Sequence, residues 1–229
     1  IGHYGRGSRA SASHISHVDH VPAMFIRLGR KNLYSAYPKL TSMISNYDVN
    51  ISKIIPHPNY NRPHKYFDIG LMELEWEVSF NEFVQPACLW GHRDISKLGT
   101  TGILTSWIIL QDAKYKLSEE LQAAVIDVLD NKVCDDLYKS ICSRYWCGFH
   151  DDQLCAGNLA GGVDACQDDI GGPLQVKIDM DVKSSFNIYQ VFGVESFGIR
   201  CSQGNRPSAY SRVANFIDWI EDTVWPEKQ

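Results

Sequence analysis

Gln167-Asp168-Asp169-Ile170-Gly171-Gly172-Pro173 closes on a Gly-Gly-Pro run that neither a helix interior nor a central strand tolerates. Outward from it, the chain alternates short apolar or β-branched runs with turn residues. The runs are Ala23–Leu28, Val49–Ile55, Ile69–Leu74, Ile103–Leu110, Ala124–Leu129 and Tyr189–Val194. Short strands without long amphipathic helices predict an all-β barrel or sandwich. One segment reads differently. Val213, Phe216, Ile217, Ile220 and Val224 recur at helical spacing and Pro226 stops them, which predicts a C-terminal helix.

The 229 residues are 44% hydrophobic, enough for one large domain or two small packed lobes. A net charge of −5 argues against nucleic acid as a partner. Residues 1–40 run the other way, with six Lys/Arg against Asp19 alone, so the rest of the chain is more acidic than the whole. No apolar run approaches the ~18 residues of a membrane span, and the opening residues do not read as a signal peptide, so a mature product or an excised domain is expected. The seven cysteines are Cys88, Cys134, Cys142, Cys147, Cys155, Cys166 and Cys201. None forms a Cys-x-x-Cys pair or zinc-finger spacing with histidine, so disulfides in an oxidising compartment account for them, with one thiol left over. Asn50-Ile51-Ser52 is an N-glycosylation sequon.

From about Ser11 to Pro226 a series of motifs resembles the chymotrypsin-fold serine proteases. Ser11-Ala12-Ser13-His14-Ile15 resembles the family's segment around the catalytic histidine, and Asp68-Ile69-Gly70-Leu71 the one carrying the triad aspartate. Pro86-Ala87-Cys88-Leu89, Ser106-Trp107, Cys155-Ala156-Gly157 and Ser196-Phe197-Gly198 follow in family order. The stretch at 167–173 is similar to Gly-Asp-Ser-Gly-Gly-Pro, with Ile170 in the serine's place. Asn215-Phe216-Ile217-Asp218-Trp219-Ile220 before Val224-Trp225-Pro226 is similar to arthropod clip-type proteases and their inactive homologues. The resemblance implies two packed six-stranded antiparallel β-barrels with a C-terminal helix, all in a single trypsin-like domain spanning residues 1–229.

It also implies a damaged site. In such a triad a serine attacks the acyl carbon, a histidine takes its proton and a buried aspartate orients the imidazole. His14 and Asp68 match the second and third members, but Ile170 has no lone pair to attack with. Loss of the nucleophile costs on the order of 10⁶ in turnover. Asp168 replaces the glycine whose N–H serves the oxyanion, placing negative charge where negative charge must develop. The primary pocket resembles a trypsin-like one, with Asp164 at its floor and Ser196 and Gly198 on its wall. Ser208 adds a side chain where the family has glycine, and Arg200 replaces a glycine at the mouth. The pocket either accepts an Arg or Lys side chain on Asp164 or is filled and inert.

By the same resemblance Cys134 pairs with Cys155 and Cys166 with Cys201; Cys142 and Cys147 are additional and close enough in sequence to be able to bridge each other. Cys88 is then a tether to an upstream chain or a buried free thiol. The loop from Arg30 to Tyr47 is poor in acids, so no calcium site is expected, and no metal or cofactor is implied.

The beginning departs from the family. Only thirteen residues precede His14, so the N-terminal part of the first barrel is expected to be incomplete. Asp169 matches the carboxylate that receives the new amine on activation, and Ser106-Trp107-Ile108 replaces Gly-Trp-Gly nearby, both consistent with a zymogen-like arrangement. These readings lead to a secreted, catalytically inactive homologue. It binds active proteases, zymogens or other proteins of an extracellular cascade, such as arthropod immunity or melanisation. A glycan- or surface-recognition module using the basic residues 1–40 is the alternative. A residual trypsin-like endopeptidase with another serine, Ser208 or Ser196, is the less favoured one.

Overall fold

Alternation along the strands sets the architecture. The computed structural model describes residues 25–29, 31–32, 47–81, 83–107, 118–160, 170–178, 187–198 and 207–226. Its strands are β1 (Phe25–Leu28), β2 (Tyr47–Pro56), β3 (Gly70–Leu74), β4 (Cys88–Leu89), β5 (Thr101–Ser106) and β6 (Gln122–Leu129). After helix α1 (Asn131–Tyr138) come β7 (Gln153–Gly157), β8 (Pro173–Ile178), β9 (Ile188–Gly198) and β10 (Ser208–Arg212), then helix α2 (Ile217–Val224).

In β5, Gly102, Leu104 and Ser106 point inward while Thr101, Ile103 and Thr105 lie nearer solvent. Strand β6 keeps the same two-residue period, burying Ile126 beside an exposed Val125. The chain thereby closes a six-stranded antiparallel barrel in the order β5-β6-β7-β10-β9-β8, with β8 returning to β5. Leu104, Ile126, Leu154, Ala156, Leu174, Phe192 and Tyr210 fill it. Strand β4 adds to β9 in parallel. A separate antiparallel sheet, β1-β2-β3, holds the first part of the chain.

Helix α1 follows Asp130, whose carboxylate caps it by accepting the Lys132 N–H at 2.8 Å. It buries Cys134 and Tyr138 one turn apart, and Cys134 is bridged to Cys155 on β7 with Cα atoms 6.4 Å apart. Replacing both cysteines by alanine should lower stability by about 3 kcal/mol, from the loop entropy returned to the unfolded chain. The urea midpoint measures it. A second bridge, Cys142–Cys147, closes a short loop with Cα atoms 4.4 Å apart. Cys88 on β4 is exposed and carries a free thiol, so it is not the buried thiol that the sequence also allowed.

Helix α2 begins later than its sequence periodicity suggests. Val213–Asn215 forms a 3₁₀ turn, and Phe216 leads into the helix at Ile217. Ile220 and Phe216 pack with Ile69, Phe67, Leu71 and Leu89, so the C-terminal helix rests against the segment leading into β3.

Candidate functional site

The site is organised by two consecutive residues of β9. The Glu195 backbone holds the turn after Ile170: Gly171 N–H donates to the Glu195 carbonyl at 2.8 Å, and Glu195 N–H donates to Gly172 at 2.9 Å. Gly171 has φ +91°, a conformation that a side chain would strain. The next residue, Ser196, donates its Oγ–H to Asp68 Oδ2 at 2.6 Å. Asp68 is 2% exposed, and its backbone carbonyl accepts from Ser211 Oγ on β10 at 2.7 Å. One barrel strand thus fastens both the Ile170 turn and the Asp68 carboxylate.

Local strain aims Asp68. Phe67, immediately before it, has φ +55°, costly for a bulky residue by about 1–3 kcal/mol. Neighbours hold it there: its N–H donates to Asp152 Oδ2 at 2.9 Å, and its carbonyl accepts from Ile69 N–H at 2.8 Å. Its ring stacks on His57 at 5.4 Å.

His57 belongs to this support rather than to proton transfer. Its Nδ1 accepts from Asn59 N–H at 3.2 Å, and none of its hydrogen bonds reaches Asp68. Phe216 and Trp219 meet the ring edge-on at 5.2 and 4.8 Å. Burial pushes the imidazole below its ordinary range, against a weaker upward pull from Asp152. A histidine lowered in the folded state contributes stability that is complete above its unfolded pKa of about 6.5. That contribution falls away as pH drops through the window toward the folded value. Urea midpoints should therefore decline from pH 7 to pH 5, and His57→Gln should flatten part of the slope.

At the centre of the turn stands Ile170, 8% exposed and bearing only carbon. The three serine hydroxyls of β9 and β10 are engaged or enclosed. Ser196 and Ser211 are buried and give their protons to Asp68. Ser208 is buried on β10 opposite Gly198 of β9. A Cβ on Gly198 would come within 2.7 Å of Ser208 Oγ, so this hydroxyl occupies the gap between the two strands.

Lys65, three residues before Asp68, was not singled out by sequence. It is half-buried, with its ammonium 4.3 Å from the centre of the Phe197 ring. Burial lowers its pKa, and the charge of Asp68 opposes that shift. His14, Asp164, Asp168, Arg200 and the expected Cys166–Cys201 bridge lie outside the described residues. Asn50 is exposed on β2, where its Nδ2 donates to Glu75 Oε2 at 2.6 Å. Among the described residues no group of three or more His, Cys, Asp or Glu side chains could hold a metal ion, and no helix is long and apolar enough to cross a membrane.

A family model described as Trypsin matches residues 11–220. "Serine protease snk" of Drosophila melanogaster is 32% identical over 206 residues, covering 90% of this chain and 44% of that protein. "Serine protease Hayan" of the same organism is 30% identical over 208 residues, covering 90% of this chain and 31% of that protein. "Clotting factor G beta subunit" of Tachypleus tridentatus is 28% identical over 206 residues, covering 89% of this chain and 62% of that protein. The chain spans less than half the length of the first two relatives and about three-fifths of the third.

Proposed function

Because this chain belongs to the trypsin family of serine proteases, we propose that it is a catalytically inactive member that works by binding other proteins of an extracellular proteolytic cascade. The observation that carries the reading is Ile170. It sits at a glycine turn docked on Glu195, one residue from the Ser196–Asp68 hydrogen bond, where the family's chemistry needs a nucleophile. In this reading Asp68 and Ser196 survive as structure. Their hydrogen bond joins the segment before β3 to the barrel, which gives it a reason to persist without catalysis. Ser208, tucked against Gly198, narrows the primary pocket and disfavours a long cationic side chain on Asp164. Asp168 adds an unfavourable charge at the oxyanion position.

The role in a cascade draws on relatives named as serine proteases and a clotting factor subunit. The disulfides Cys134–Cys155 and Cys142–Cys147 and the exposed sequon at Asn50 support secretion. The exposed Cys88 thiol supports a covalent link to an upstream chain. Crosslinking the natively secreted protein in its source fluid tests the binding role. Recovery of a protease or its zymogen, with micromolar or tighter affinity on reconstitution, is expected. Recovery of neither removes the cascade assignment.

A further inference from the structure

Two short segments free of acidic residues meet beside Phe197. Residues 61–67 bring Arg62, His64 and Lys65, and residues 142–149 bring Arg144. The Cys142–Cys147 disulfide closes the second segment. Across it Ser143 and Trp146 exchange backbone hydrogen bonds at 2.8 and 3.2 Å, which leaves Arg144 and Tyr145 at the tip. The two segments are laced together. Lys65 N–H donates to the Tyr145 carbonyl at 3.3 Å. Tyr66 Oη accepts from Cys147 N–H at 3.0 Å and donates to the Gly148 carbonyl at 3.1 Å. The tip is therefore held in place before any partner arrives.

This framework sets cationic groups on aromatic faces. The Arg144 guanidinium lies 4.6 Å above the Tyr145 ring, and the His64 ring meets Tyr145 edge-on at 5.7 Å. Lys65 reaches over Phe197 instead. Among the described residues its ammonium has no ion pair and no hydrogen bond, and it feels the Asp68 carboxylate only through space. The nearby acids make their hydrogen bonds elsewhere. Asp68 accepts from Ser196, Asp152 from Phe67 N–H and Asp135 from Phe149 N–H. An ammonium partly withdrawn from water and left with three donors gains more from an incoming carboxylate than one on an open surface.

We propose that Lys65 and the disulfide-closed tip at Arg144 and Tyr145 form a docking surface for an acidic segment of a partner polypeptide. One Asp or Glu carboxylate sits on Lys65 against Phe197, and flanking acids face Arg144. A polypeptide suits the site better than a sulfated glycan. A glycan needs a row of exposed cations, whereas here the key ammonium is half-buried among aromatic rings that favour a single carboxylate with apolar neighbours. The inference rests on the binding role proposed above and names the chemistry of the partner.

Titration calorimetry on the intact protein tests it, with acetyl-Glu-Phe-Glu-Leu-Glu-amide and its Gln counterpart as probes. The Glu peptide should bind at least about tenfold more tightly than the Gln peptide. Lys65→Met, which keeps the stem packed on Phe197, and Arg144→Gln should each weaken the Glu peptide by about threefold to tenfold. Joint Cys142→Ala and Cys147→Ala substitution should weaken it too, with the near-ultraviolet circular dichroism of Lys65→Met confirming an intact fold. The proposal is overturned if the Glu peptide does not bind, if both peptides bind alike, or if Lys65→Met binds as tightly as wild type. It is also overturned if a heparin hexasaccharide binds more tightly and loses affinity through the same substitutions. A chain that ignores the Glu peptide yet resists an active-site serine probe loses this surface and keeps the inactive reading. A chain labelled by the probe loses the inactive reading itself.

Discussion

A fluorophosphonate that phosphorylates active serines is expected to leave this protein unlabelled, and Ile170→Ser is expected to leave it without measurable peptide turnover. The first result follows from the side chain at position 170 and from the serines bonded to Asp68. Ile170 offers no oxygen, and Ser196 and Ser211 are buried donors to Asp68. The second result says more about the site. A hydroxyl at 170 would stand on a turn already docked to Glu195, so the position itself would be served. On the role proposed for Asp168, its carboxylate would oppose the negative charge that develops on the oxyanion. A single oxyanion donor is worth roughly 10²–10³ in rate, and the carboxylate would work against that stabilisation. Ser208 would remain in the gap beside Gly198, where its proposed role is to narrow the primary pocket. Release of aminocoumarin from Arg- and Lys-terminated substrates reads the outcome. Robust hydrolysis by the single Ile170→Ser variant would mean that the roles given to Asp168 and Ser208 are wrong.

The second large effect concerns stability. Asp68→Ala should cost about 3 kcal/mol or more, because it empties a buried carboxylate position and leaves the Ser196 hydroxyl without its acceptor. Ser196→Ala should cost less, and Asp68→Asn, which keeps an acceptor of similar shape, should fall between wild type and Asp68→Ala. The double variant distinguishes a working hydrogen bond from two separate packing losses. A buried charge-assisted bond predicts a coupling of about 1.5–3 kcal/mol between the two sites. Urea midpoints for the four proteins provide the cycle. Additivity within about 0.5 kcal/mol would remove Ser196–Asp68 as the link between the first sheet and the barrel.

The β architecture was legible because short apolar or β-branched runs stand between turn residues. The runs at Val49–Ile55, Ile69–Leu74 and Ala124–Leu129 fall on β2, β3 and β6. Helix α1 was not legible: it has eight residues and buries two, Cys134 and Tyr138, among Lys132, Asp135 and Asp136. Its one local cue was Asp130 at the cap position. Asp68 could be found from its flanking motif, but its bond to Ser196 joins residues 128 apart and depends on how β9 meets the first sheet. Lys65 and His57 gain their meaning only from packing, since neither sits in a sequence pattern that announces an aromatic neighbour. His14, Asp164 and Asp168 remain readings of the sequence, outside the described residues.

The pairing of β10 with β9 closes the barrel, and that closure restricts how any partner can be received. An extended peptide often joins a β protein by adding a strand to an open edge, where main-chain groups supply affinity with little regard for sequence. The barrel strands have spent many of those groups on one another, and β4 takes more of those on β9. Recognition on this half of the molecule therefore leans on side chains and loop tips, so single surface substitutions should be able to change which partners it keeps.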